Sequence, residues 1–100
     1  MYDNPNSRTR IHYPYILDVQ NGLLEELETR LVIPVSRKSG MNHNRLSRLT
    51  PEISFNDEDL LLMVPQMTSM PANKLRVRVG SLEHFRNEII GAIDFALTGI

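Results

Sequence analysis

The 100-residue chain contains no cysteine and no tryptophan. The first absence excludes disulfide frameworks, thiolate metal sites and cysteine nucleophiles together, so stability must come from packing. With only three tyrosines and three phenylalanines, that packing must be mainly aliphatic. Long apolar runs are missing too. None approaches the roughly 18 residues that a bilayer crossing needs. The N-terminal stretch holds Asp3, Asn4, Asn6, Arg8 and Arg10 without an apolar block, so no secretory signal is expected. The expected location is cytoplasmic, with no membrane partner. Charge of one sign is not in excess: 11 Lys and Arg face 12 Asp and Glu. The pI of 6.3 argues against a general polyanion binder.

Catalytic signatures are equally scarce. His12, His43 and His84 form no i, i+4 pair and have no acid at a metal-ligand spacing. No G-x-S-x-G elbow raises one serine above the rest, and no glycine-rich phosphate loop is present. Asp57, Glu58 and Asp59 lack the glycine and closing glutamate of a calcium loop. No catalytic residue, metal ligand or cofactor is expected.

What remains is a small folding unit of short strands and one helix. A chain of this length removes roughly 65% of its unfolded surface from water, a marginal core that a partner subunit would extend. Residues 13–19 alternate enough to predict a strand, with Pro14 at its start or at an edge. Asn21-Gly22 is the strongest short turn signal, followed by Leu23, Leu24 and Leu27 as a helical turn or exposed loop. Residues 30–34 read as a second strand that Pro34 ends or leaves at an edge. Residues 36–50 hold Arg37, Lys38, Arg45 and Arg48 and no acid, either a solvated loop or a local positive patch. A hairpin is expected across the acidic turn 56–59, with Pro65 stopping its second arm. Residues 74–79 alternate strictly between basic and apolar, predicting a last strand that buries Leu75, Val77 and Val79. The methionines, Met41, Met63, Met67 and Met70, are expected to fill gaps in the core.

A helix over about 82–98 follows, with Ser81 as N-cap and Glu83 in its first turn. Phe85, Ile89, Ala92 and Ala96 form one stripe, and Ile90, Ile93 and Leu97 a second beside it. Together they exceed the ~100° apolar arc of a helix packed on one side. Such a helix needs cover twice, from its own sheet and from a second copy of the chain. The fold class expected is α+β, mostly β: a small, partly open antiparallel β-barrel with a C-terminal α-helix. The terminal Thr98-Gly99-Ile100 is either a frayed helix end or a contact tip.

Four blocks then resemble the CcdB family: residues 15–20 (YILDVQ), 29–34 (TRLVIP), 66–71 (QMTSMP), and 85–90 (FRNEII) continuing through Asp94-Phe95 to Gly99-Ile100. CcdB proteins are the toxin halves of CcdA/CcdB toxin–antitoxin modules. The resemblance implies one toxin domain over 1–100, an SH3-like barrel paired as a homodimer through the C-terminal helix, with Ile90, Ile93 and Leu97 at the interface. It implies a non-enzymatic poison that binds the DNA gyrase A subunit and traps gyrase on cleaved DNA. A CcdA-like antitoxin would neutralise it and autoregulate transcription with it, nucleic acid being reached only through that complex. The gyrase contacts implied are Asn21, Leu23, Leu24, Asp94, Leu97, Thr98, Gly99 and Ile100. Arg37, Lys38, Arg45 and Arg48 are candidate contacts for the acidic antitoxin.

The chain departs from the family where Thr98 replaces a tryptophan, in the basic segment 37–48, and at its start, where the family's opening strand is expected to be missing. Two alternatives stay open. One is an endoribonuclease of the MazF type on a related fold, for which His43, Arg45 and Arg48 would have to serve. The other is a decayed toxin that retains only antitoxin binding.

Overall fold

A computed structural model describes residues 1–19, 28–40 and 49–98. Among them run six strands and one α-helix: β1 (Tyr2–Asp3), β2 (Tyr15–Asp18), β3 (Thr29–Arg37), β4 (Glu52–Phe55), β5 (Glu58–Leu62), β6 (Thr68–Pro71) and α1 (Arg86–Thr98). The strands form one antiparallel sheet in the order β1-β2-β3-β5-β4, with β6 also on β3. This is the expected open, barrel-like α+β fold.

The strand β3 organises the sheet. It pairs with β2 along one side; on the other, residues 29–32 pair with β6 and residues 35–37 with β5. The expectation that Pro34 ends this strand or marks an edge does not hold. Pro34 lies between the two segments that pair with β6 and β5, and its carbonyl accepts the Met63 N–H at 2.9 Å on that side. The N–H and C=O of one extended residue point the same way. The donor that proline lacks would therefore face a gap in the ladder, and its absence costs no strand hydrogen bond.

Alternate residues of β3 are buried on both faces: Ile33 and Val35 on one, Val32 on the other, all at 0% exposure. Ile33 and Val35 join Leu17, Ile53, Leu60, Leu62 and Val64 in the main core, which Leu82, Ile89 and Ala92 cover from the helical end. As the composition requires, aromatics stand at the margin; Tyr15 meets Phe55 edge-on at 6.0 Å.

The hairpin turn is tighter than expected. Only Asn56 and Asp57 form it, with φ of 51° and 61°, while Glu58 and Asp59 belong to β5. Two consecutive left-handed residues fit a type I′ turn, whose twist matches the flanking strands. β6 carries no alternating pattern in its sequence; it was not anticipated from periodicity and is held by its pairing with β3.

Two further expectations are corrected. The opening strand is present: β1 pairs with β2, and its other side is covered by residues 77–80. Asp3 N–H donates to the Val77 carbonyl at 2.9 Å and Val79 N–H to the Met1 carbonyl at 2.8 Å. Conversely, residues 74–79 do not form a strand. Ala72–Lys74 is a 3-10 turn, Tyr2 and Arg78 make a lone bridge, and Val77 is 55% exposed. The physical reason is the short partner: a two-residue β1 cannot carry a ladder as long as the alternation offers. Gly80 passes so close to Phe55 that an added Cβ would stand 2.5 Å from its ring. The helix also starts later than expected. The Ser81 hydroxyl accepts the Glu83 N–H at 3.3 Å, but Glu83–Phe85 is a 3-10 turn and α1 begins at Arg86.

The loop between β1 and β2 hangs on one side chain. Asn4 is buried; its Nδ2 donates to Thr9 Oγ1 at 2.9 Å and to the Tyr13 carbonyl at 2.8 Å, and its Oδ1 accepts the Asn6 N–H. Asn4→Ala strands these partners and is expected to cost about 2 kcal/mol, read as a lower urea midpoint with an unchanged slope.

The Met1 amino group donates to the Gly80 carbonyl at 2.8 Å. Burial, then the Arg78 charge, push its pKa below 8.0 against a smaller opposing effect of Asp18. The unfolded chain thus binds this proton more tightly than the native one. Stability is expected to rise with pH from the lowered pKa up to 8.0 and to level off above. Acetylating the Met1 amine should remove that rise in urea titrations; a fall in stability across the window contradicts the assignment.

Candidate functional site

Helix α1 buries only one of its two apolar stripes. Ile89 and Ala92 are buried, and Phe85 and Ile93 pack against the core half-buried. Ile90 is 43% exposed and Leu97 72%. Spaced at i, i+3 and i+7, Ile90, Ile93 and Leu97 lie along one side of the helix. The structure places these three side by side, with Ile93 bridging between the core and the open face.

Asp94 and Thr98 complete the exposed last turns. The Thr98 hydroxyl donates to the Asp94 carbonyl at 2.8 Å, a bond back across one turn. It adds a second donor to a carbonyl within the helix, the back-bond that serine and threonine hydroxyls make to residue i−4. No basic residue stands in the last turn. The end of α1 thus offers apolar area, one carboxylate and the negative pole of the helix. Of the other expected contacts, Asn21, Leu23, Leu24, Gly99 and Ile100 lie outside the described residues, as do Arg45, Arg48 and His43.

Beside the apolar helix face runs a cleft of about 690 Å³, walled by Ile90 and Ile93 on one side and Leu17, Asp18 and Val19 on the other. In it Arg30 and Asp18 form an ion pair at 2.9 Å, their side chains only 9% and 13% exposed. Removing one partner of such a pair typically costs about 3–5 kcal/mol, because the other charge stays buried. Nothing in the local sequence marks either residue as one of a pair. Asp18 follows an apolar strand and Arg30 precedes one, and neither position signals that the two strands set them side by side.

The positive residues expected to meet an acidic partner are already partly satisfied. Arg37 Nε lies 3.2 Å from Glu58 Oε1, and Lys38 Nζ donates to Glu52 Oε1 at 3.0 Å. Both pairs are substantially exposed, worth at most about 1 kcal/mol each. His12 and His84 are exposed, and His84 stacks on Phe85 at 4.4 Å. Among the described residues no group of His, Asp and Glu could hold a metal ion. No helix among them is long and apolar enough to cross a membrane.

No curated protein matches the chain. A solved structure described as "Crystal structure of Mtb toxin" superimposes with a TM-score of 0.67 at 14% identity, covering 85% of this chain and 96% of that one. The shared feature at that identity is the fold. The family model described as CcdB protein matches residues 1–99, and the chain therefore belongs to the CcdB toxin family.

Proposed function

We propose that the chain is a gyrase poison that acts by binding rather than catalysis, as a homodimer. The observation that carries this reading is the exposed end of α1. Leu97, 72% exposed, stands beside Asp94 and Thr98 in a member of the CcdB family. Burying a side chain this open against a partner is worth roughly 2 kcal/mol. Ile90 and Ile93 meet their counterparts on a second copy. The last turn, Gly99, Ile100 and the loop residues Asn21, Leu23 and Leu24 then touch the gyrase A subunit. Two-fold symmetry lets both tips engage a symmetric target at once. A poison must hold one state of its target more tightly than the others, because only differential affinity shifts an equilibrium. A CcdA-like antitoxin reverses the effect.

Thr98 replaces the larger indole of the best-known members. A threonine methyl covers a fraction of the area of an indole, so the affinity here rests more on Leu97 and Ile100.

Induced expression should arrest cells with ordinary gyrase and spare cells whose gyrase A subunit is altered at the toxin contact. Equal arrest in both, or RNA cleavage by the purified protein, sinks the reading. Deleting residues 98–100 should abolish arrest while changing unfolding stability by no more than about 0.5 kcal/mol; a toxic truncation rules out the tip. Ile90→Asp should weaken the dimer by roughly 3 kcal/mol, about a hundredfold, in sedimentation. Ile90 is preferred to Ile93 because Ile93 also packs on its own core.

A further inference from the structure

The cleft beside α1 holds more charge than the helix face uses. Besides the Arg30–Asp18 pair, its lining includes Met1, Arg78, Arg86 and one further carboxylate, Glu83. Arg78 and Arg86 have no ion-pair partner among the described residues. Both stand where a cation is locally unfavourable. Arg86 opens α1, at the positive pole of the helix. Arg78 lies near the Met1 amine, and its charge is the second cause, after burial, of that amine's lowered pKa; Asp18 opposes the shift only as the smallest effect. The amine is fixed by its bond to the Gly80 carbonyl at 2.8 Å, which uses one of its three N–H groups. Cations gathered in this way, at a local cost and without an evident gain in packing, mark a place shaped by something other than stability.

Beside these groups the cleft is apolar. Leu17 and Val19 line it from the end of β2, with Leu75 from the segment before residue 78. None of these three belongs to the open face of α1. The volume of about 690 Å³ falls within the roughly 300–1,000 Å³ of small-molecule sites, which combine apolar walls with a few convergent polar groups.

We infer that this cleft binds a small organic acid, a monocarboxylate carried on an apolar body. The carboxylate meets Arg78, Arg86 and the Met1 amine, and the apolar body lies along Leu17, Val19 and Leu75. Asp18 does not repel it, because Arg30 holds that charge at 2.9 Å. Glu83 is then the one opposing carboxylate, against two arginines and the amine. A bare inorganic anion gains nothing from the apolar wall, and a neutral apolar molecule leaves the cations unmet. The inference stands apart from the gyrase reading, which uses none of these residues.

The test is a titration of the isotope-labelled full chain with sodium octanoate, followed by amide chemical shifts. The comparisons are 1-octanol, which keeps the tail without the charge, and inorganic phosphate, which keeps a charge without the tail. Octanoate should move the amides of Tyr2, Val19, Leu75 and Arg78 to saturation, and added salt should weaken it as screening demands. Arg78→Glu should reduce its affinity at least about fivefold, and Leu75→Ser should reduce it without altering the salt dependence. Arg78 is exposed and Leu75 lies outside the main core, so unchanged shifts elsewhere report an intact fold in either variant. Shifts that are absent at millimolar octanoate, that fall elsewhere, that both variants leave unchanged, or that 1-octanol or phosphate produces as strongly overturn the proposal.

Discussion

The constraint on which the rest depends is that one strand, β3, must serve three neighbours while containing a proline. Nine residues long, it pairs with β2 on one side and divides its other side between β6 and β5. Pro34 sits where that second side changes partner. A residue with a free N–H there would have a donor pointing into the gap, to be met by water or by some added group. Proline removes the donor instead. The gap then closes through a single bond, Met63 N–H to the Pro34 carbonyl. After Met63 the chain turns through Val64–Gln66 before entering β6. The open form of the barrel follows from that division.

An open sheet needs cover, and α1 supplies it with one stripe only. Ile89 and Ala92 close the core beside Leu82, and Ile93 packs against it half-buried. The remaining apolar side chains do not contribute to the monomer in proportion to their size. That asymmetry makes a binding role cheap: Ile90 and Leu97 are free to be chosen for a partner surface, because changing them leaves the packed residues untouched. The Arg30–Asp18 pair adds a polar boundary beside this face, in a cleft that Arg78, Ser81, Glu83 and Arg86 also line. A buried pair favours partners that leave it solvated or hydrogen-bonded over those that strip it.

Much of this was legible in the sequence, and the failures share a cause. The strands around Ile16 and Val32, the hairpin around Asn56 and the two stripes of the helix all announce themselves within a few neighbouring residues. Local pattern is enough there because local geometry decides them. What stayed hidden depends on a distant partner. Residues 68–71 become a strand only because β3 presents a free side to them, and β1 exists only between β2 and residues 77–80. The failed strand at 74–79 is the same effect in reverse. Its alternation is perfect, but β1 is too short to receive it. The Asp18–Arg30 pair was equally hidden, since twelve positions of sequence separate two residues that the β2–β3 register sets together. For the candidate site, the helix stripe could be drawn from spacing alone, whereas the split between its packed and open halves required the sheet.

The end of α1 is apolar and lacks cations in its last turn, so a partner bound there would gain from area removed from water, a term that salt hardly weakens. The concavity lined by Arg10, Lys74 and Arg76 is charged instead, and charges act at longer range. A chain near charge balance can keep both because its cations are placed rather than plentiful. Asn4 shows how placement is achieved. Its side chain ties residues 6, 9 and 13 together, and its own carbonyl then receives Arg10. A buried amide thereby fixes the direction of an exposed charge, and the order of the loop becomes a condition of the groove.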